Sequence, residues 1–155
     1  MRYCPVCERE AASFLTHGVV RRPDCLCPHC QSHERHRLVL LYMRERTDLF
    51  DGRPKRMLHI APEPELEPIF ARAVGPGYLT ADIANPRAQV AMNIMDIQFG
   101  EGTFDIVYCS HVLEHTRKPW VAVMRQWLGG EDTLTISPQS TLAAECLLHL
   151  PNNKP

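Results

Sequence analysis

The rhythm of apolar residues changes near residue 55. Before it, the main apolar segment is Ser32-His-Glu-Arg-His-Arg-Leu-Val-Leu-Leu-Tyr-Met-Arg-Glu-Arg46. Leu38, Leu41 and Tyr42 recur there at i, i+3 and i+4, the spacing of one helical face. This predicts a helix over residues 33–47, with Ser32 as N-cap and Glu34 supplying negative charge in the first turn. Asp51-Gly-Arg-Pro54 reads as a linking turn. Beyond it, short apolar runs alternate with helical segments. Strands are expected over 56–61, 78–82, 89–94, 104–110 and 133–136, and helices over 63–74 and 118–128. Gly75-Pro-Gly77, Gly100-Glu-Gly102 and Gly129-Gly130 punctuate them. Leu142, Cys146 and Leu150 recur every four residues, which suggests a short tail helix over 139–150. Strands alternating with helices imply an α/β fold, a mostly parallel sheet of about five strands with covered faces. Ligands of such sheets bind outside the carboxyl ends of the strands. The segments 61–65, 82–84, 93–97 and 110–115 are therefore the candidate site.

Composition narrows the class. The chain has 155 residues, of which 45% are hydrophobic and 23% charged, enough apolar surface for one domain with a small appendage. The longest apolar run, Leu38 to Met43, is far shorter than the ~20 residues of a membrane span. Met1-Arg-Tyr-Cys-Pro5 lacks the apolar stretch of a secretory signal, so a cytoplasmic location is expected and no membrane partner. The net charge of −1 is unevenly spread. Residues 1–56 carry eleven Lys/Arg and seven Asp/Glu, whereas 57–155 carry six and eleven. A solvated surface accounts for this split. A nucleic-acid partner for the basic third has no further support.

Cysteine spacing adds the first chemistry. Five of seven cysteines precede residue 31, and Cys4-Pro-Val-Cys7 and Cys27-Pro-His-Cys30 form two C-x2-C pairs with nineteen residues between them. This is the four-cysteine zinc spacing. Each tight turn brings two thiolates to one side of a loop, and two such turns make a tetrahedral sulfur cage. A closed four-thiolate cage has no open position, so its Zn²⁺ is structural. Cys25 is left over; in place of Cys27 it would give a C-x4-C turn, a poorer geometry. His17, His29 and His33 rank lower as ligands. The expected organisation is a zinc ribbon over 1–31, a linking helix and linker over 32–54, a sheet domain over 55–137 and a tail over 138–155.

Three stretches together carry a resemblance: the ribbon running into Ser32-His-Glu-Arg-His-Arg-Leu38, the unit Leu58-His-Ile-Ala-Pro-Glu-Pro-Glu-Leu66, and Thr103-Phe-Asp-Ile-Val-Tyr-Cys-Ser-His-Val-Leu-Glu-His115. They resemble class I S-adenosylmethionine-dependent methyltransferases, and among them the type-11 methyltransferases with an N-terminal zinc ribbon. The resemblance implies a Rossmann-like fold, S-adenosylmethionine as cofactor, and a small-molecule or macromolecular methyl acceptor. The loop after the first strand, glycine-bearing in the superfamily, is here Ala61-Pro62-Glu63-Pro64-Glu65. By the resemblance Ala61 and Pro62 would border the methionine part, and Glu63 would face its amine. Asp82 would hold the ribose hydroxyls with two acceptor oxygens. Asn93 and the Ile94 amide would face the adenine, with Asp96 as a substitute. Cys109, Ser110 and His111 would line the cofactor and the mouth of the substrate site. His111 or His115 would serve as general base. His59, alternating within a strand, reads as a core histidine.

Two alternatives stay open. His111-Val-Leu-Glu-His115 matches the H-x-x-E-H inverted zinc-peptidase pattern, with Glu114 as base. It directly follows a strand, and a third ligand would have to come from Glu131, Asp132, Glu145, Cys146 or His149. The second alternative is a catalytically inactive cofactor- or partner-binding module. It draws on the glycine-free loop and on five expected strands where the resembling fold has seven. Without the final hairpin, the fifth strand is an expected sheet edge, exposed or covered by the tail helix.

Overall fold

The computed structural model describes residues 1–100 and 102–112. The chain forms two compact units. The first holds residues Met1–Gly52 and Glu63–Ala73, and the second Arg53–Pro62 and the chain from Val74 onward. The ribbon and linking helix thus share a unit with the helix that follows the first sheet strand. The expected helix over 118–128, strand over 133–136 and tail helix over 139–150 lie outside the described residues, as does His115.

The first unit opens with two antiparallel hairpins. β1 (Arg2–Cys4) pairs with β2 (Arg9–Ala11), Cys4 opposite Arg9. β3 (Leu15–His17) pairs with β4 (Arg22–Leu26). Both C-x2-C turns close in the same way. The Glu8 N–H donates to the Cys4 carbonyl at 2.8 Å, and the Gln31 N–H to the Cys27 carbonyl at 3.0 Å. Glu8 and Gln31 each sit in the left-handed region, φ 56° and 61°. That conformation turns the chain away after the second thiol of each pair.

α1 (Glu34–Arg46) follows. Its N-cap is His33 rather than Ser32, because the Ser32 side chain is turned into the cysteine cluster. The buried face is His36, Val39, Leu40 and Met43, again with i, i+3, i+4 spacing but rotated from the expected stripe. Leu38 and Leu41 remain 67% and 43% exposed. Polar His36 completes the inward face because the unit supplies it with partners, as described below. α2 (Glu67–Val74) starts four residues later than expected. A turn precedes it, with Leu66 and Glu67 N–H both donating to the Glu63 carbonyl. Pro64 and Pro68 lack an N–H, and a residue before proline is biased away from helical backbone, which delays the regular helix.

The second unit is a parallel sheet in the order β7-β6-β5-β8. Its strands are β5 (Met57–Ile60), β6 (Tyr78–Asp82), β7 (Val90–Ala91) and β8 (Ile106–Cys109). β5 is central, with His59 opposite Thr80 on one side and Tyr108 on the other. β7 is shorter than the expected strand over 89–94: the Met92 N–H still reaches the Asp82 carbonyl, and the chain then turns at Asn93. Alternation along the strands places Leu58, Ile60, Ala81, Val107 and Cys109 in a core with Met92, Ile94 and Phe104. The opposite face is also buried, with Met57, His59, Thr80 and Tyr108 at 2% exposure or less. Burial of both faces is what parallel sheets require. His59 meets this burial by pairing its Nδ1 with the Tyr78 hydroxyl at 2.7 Å and packing on the Tyr108 ring.

Strand entry is clamped at the amino ends. Asp105 Oδ2 accepts from the Arg56 N–H at 2.7 Å, while the Asp105 and Ile106 N–H groups donate to the Arg56 carbonyl. Gly77 precedes β6, and a Cβ there would lie 1.9 Å from the Lys55 carbonyl oxygen, so only glycine fits. Among the described residues, no helix is long and apolar enough to cross a membrane.

Candidate functional site

The two C-x2-C turns of the first unit face one another. The sulfurs of Cys4, Cys7, Cys27 and Cys30 all lie within 4.8 Å of each other. Across the two turns, Cys4 and Cys30 are 3.7 Å apart and Cys7 and Cys27 3.8 Å apart. Four sulfurs about 2.3 Å from a tetrahedral centre have edges of about 3.8 Å, so this donor set fits a Zn²⁺-sized ion. Cys25 lies outside the set. It is buried, and its thiol points to the carbonyls of Arg22 and His17.

Electrostatics within the set are uneven. Burial pushes the Cys4 thiol up, but hydrogen bonds from Ser32 and from the Cys7 and Val6 amides outweigh it and bring it to about 6. Burial and the neighbouring thiols push Cys7 up to about 12. Cys30 is also raised, chiefly by burial. Of these three thiols Cys4 gives up its proton most readily. Ser32, fully buried, places its Oγ 3.3 Å from the Cys4 sulfur and 3.2 Å from that of Cys30. This role was not legible from its place before a helix, where a cap is the ordinary reading.

The carboxyl ends of the sheet strands carry the second group of candidates. The order reverses at β5: β6 and β7 lie to one side and β8 to the other. The β5–β8 border is the topological switch point at which such sheets bind ligands. Ala61 and His111 follow β5 and β8 closely, and each takes left-handed backbone, φ 51° and 55°. For a residue with a Cβ this costs about 1–2 kcal/mol, and strain of this kind collects where backbone must clear a ligand. Ala61 thus adopts a backbone open to glycine, although the loop contains none. Its N–H is held by the Ala81 carbonyl at 2.8 Å, and Pro62 is buried beside it in sequence.

Asp82 ends β6 as expected, half-buried. Its Oδ1 accepts from the Ala84 and Asn85 amides at 2.7 and 2.8 Å. Those two donors fill the lone pairs of Oδ1. Asn93 is exposed after β7, and its Oδ1 accepts from the Met95 amide at 2.9 Å, leaving one lone pair on that oxygen. Asp96 is exposed nearby and donates its N–H to the Asn93 carbonyl. The Ile94 side chain is a core group. So is that of Cys109, which pairs with Ile60 in register. Ser110 is buried and His111 half-buried at the end of β8.

Glu63 lies in the first unit, where its Oε1 is 3.0 Å from His36 Nε2 and 3.3 Å from Arg35 Nε. No sequence signal linked α1 to this loop, because the contact spans 27 residues and joins a polar position of a helix to a carboxylate.

A parallel sheet reversing at its first strand, with an acidic residue closing the second, has the form of a Rossmann-like nucleotide-binding fold. No curated protein gives a significant match to the chain. Residues 73–128 match the family model described as "Methyltransferase domain", a match that takes in β6, β7 and β8. This stretch of the chain is therefore similar to the methyltransferase domains of the class I S-adenosylmethionine-dependent type.

Proposed function

We propose that the protein is an S-adenosylmethionine-dependent methyltransferase acting on a nucleophilic acceptor, with a structural zinc ion held by Cys4, Cys7, Cys27 and Cys30. The observation that carries the reading is the row of residues at the switch point: left-handed Ala61, acid-ended β6 at Asp82, and Ser110-His111 after β8. When bound, the cofactor supplies an electrophilic methyl group on a sulfonium. The chain's part is to bind, orient and exclude water. Asp82 Oδ2 accepts from a ribose hydroxyl while the Ala84 and Asn85 amides fix the carboxylate. Asn93 Oδ1 and the Ile94 amide face the adenine. Ala61 and Pro62 shape the wall beside the methionine part. His111 stands after β8 as the group to take the acceptor's proton; His115 lies outside the described residues. The cysteine cage is closed by four sulfurs, so its metal organises the fold and takes no part in transfer.

A second reading is a module that binds the cofactor without transferring its methyl group. It draws on Glu63 and Asp82 Oδ1 being engaged by neighbouring groups of the chain itself. Calorimetry with the zinc-loaded protein and S-adenosylhomocysteine tests the first step. One site per chain is expected, weakened at least tenfold by Asp82→Ala; absence of binding overturns both readings. Methyl transfer to an acceptor in an extract then favours the enzyme, and binding without transfer favours the module.

A further inference from the structure

The cysteine cluster and Glu63 belong to the same unit, and hydrogen bonds run from the cluster through the amino end of α1 to Glu63. Ser32 Oγ lies between the Cys4 and Cys30 sulfurs, and the Ser32 carbonyl accepts from the Cys27 N–H at 3.0 Å and from Arg37 at 2.7 Å. Arg37 also donates to the Cys25 carbonyl at 3.0 Å and stacks over Phe14 at 4.3 Å. These bonds fix the amino end of α1 to the cluster. One turn further, His36 is 2% exposed. Its Nδ1 accepts from the His33 N–H at 3.3 Å, so Nε2 carries the proton and donates to Glu63 Oε1 at 3.0 Å. Arg35 Nε donates to the same oxygen at 3.3 Å. The Glu63 side chain is 13% exposed, and a carboxylate so buried is held where its donors are.

Glu63 is the residue after Pro62 and two after left-handed Ala61, and its carbonyl receives the Leu66 and Glu67 amides that open α2. Its position therefore sets the turn that opens α2.

We propose that Arg35 and His36 are positioning residues. They hold Glu63, and through it the turn that opens α2, and the metal-loaded cysteine cage sets their own position. Hydrogen exchange on the full chain reads the amides of Leu66 and Glu67, which donate to the Glu63 carbonyl. Removing the metal with a chelator, or changing Glu63→Ala, is expected to speed their exchange at least tenfold. Glu63→Gln retains an oxygen that accepts from Arg35 and His36, and is expected to stay within about threefold of wild type. Unchanged exchange on chelation or in E63A overturns the proposal, and so does E63Q exchanging as fast as E63A.

Discussion

Ala61 shows how one residue carries a local conflict. Its φ of 51° favours glycine, and its Cβ is tolerated at a cost. Ala61→Gly removes that cost and adds backbone freedom to the unfolded chain, so the net gain is expected to be small, up to about 1 kcal/mol. Ala61→Val, with a branched Cβ, is expected to lose more than that. Urea midpoints of the two variants check the order. A second single-residue effect concerns pH. Burial holds the His33 imidazole below its ordinary 6.5, with the neighbouring Arg35 charge adding to it. The unfolded chain then binds a proton that the folded chain refuses. Stability from this group is complete above about 6.5 and is lost as pH falls from there through the lower folded value. His33→Asn is expected to flatten that part of the stability profile relative to wild type, measured on the metal-loaded protein.

Among the elements, the two C-x2-C turns and α1 illustrate opposite degrees of legibility. The turns follow from spacing alone, because two cysteines three apart cannot avoid facing the same way in a tight loop. The left-handed residues that close them, Glu8 and Gln31, carry no glycine signal, so this detail needed the structure. Helix α1 ends within a residue of the expected bounds on each side, yet it buries a different face from the expected stripe. Apolar periodicity selects Leu38 and Leu41, whereas His36 is buried because Glu63, distant in sequence, arrives to bond it. The metal prediction belongs to this scale. Ser in place of Cys4, Cys7, Cys27 or Cys30 is expected to abolish binding of one zinc per chain and to melt the hairpins, which hold few large buried groups of their own. Cys25→Ser, outside the cluster, is expected to keep the full metal content by atomic absorption.

For the whole molecule, the chain crosses between its two compact units at 52–53, 62–63 and 73–74. The segment between β5 and β6 therefore places its buried residues Leu66 and Phe70 in the ribbon's unit, where Val39, Leu40, Met43 and Leu49 are also buried. Phe70→Ala is expected to destabilise by about 3–5 kcal/mol. The loss should appear in hydrogen exchange at α1 as well as at α2. Protection at α1 that stays at the wild-type level would refute this shared core.

The sequence by itself determined the sulfur cluster, the alternation of strands and helices, the position of Asp82 at a strand end and the absence of glycine after the first sheet strand. Each of these is local: spacing, period and residue type carry them within a few positions. Tertiary structure decided the rest. It fixed which face of α1 is buried, that Cys109 and Ile94 are core side chains, that one oxygen of Asp82 is consumed by its own turn, and that Glu63 answers to α1. These outcomes depend on which distant groups meet. A side chain's role is set by the partners that satisfy it once water is excluded, and those partners come from elsewhere in the chain.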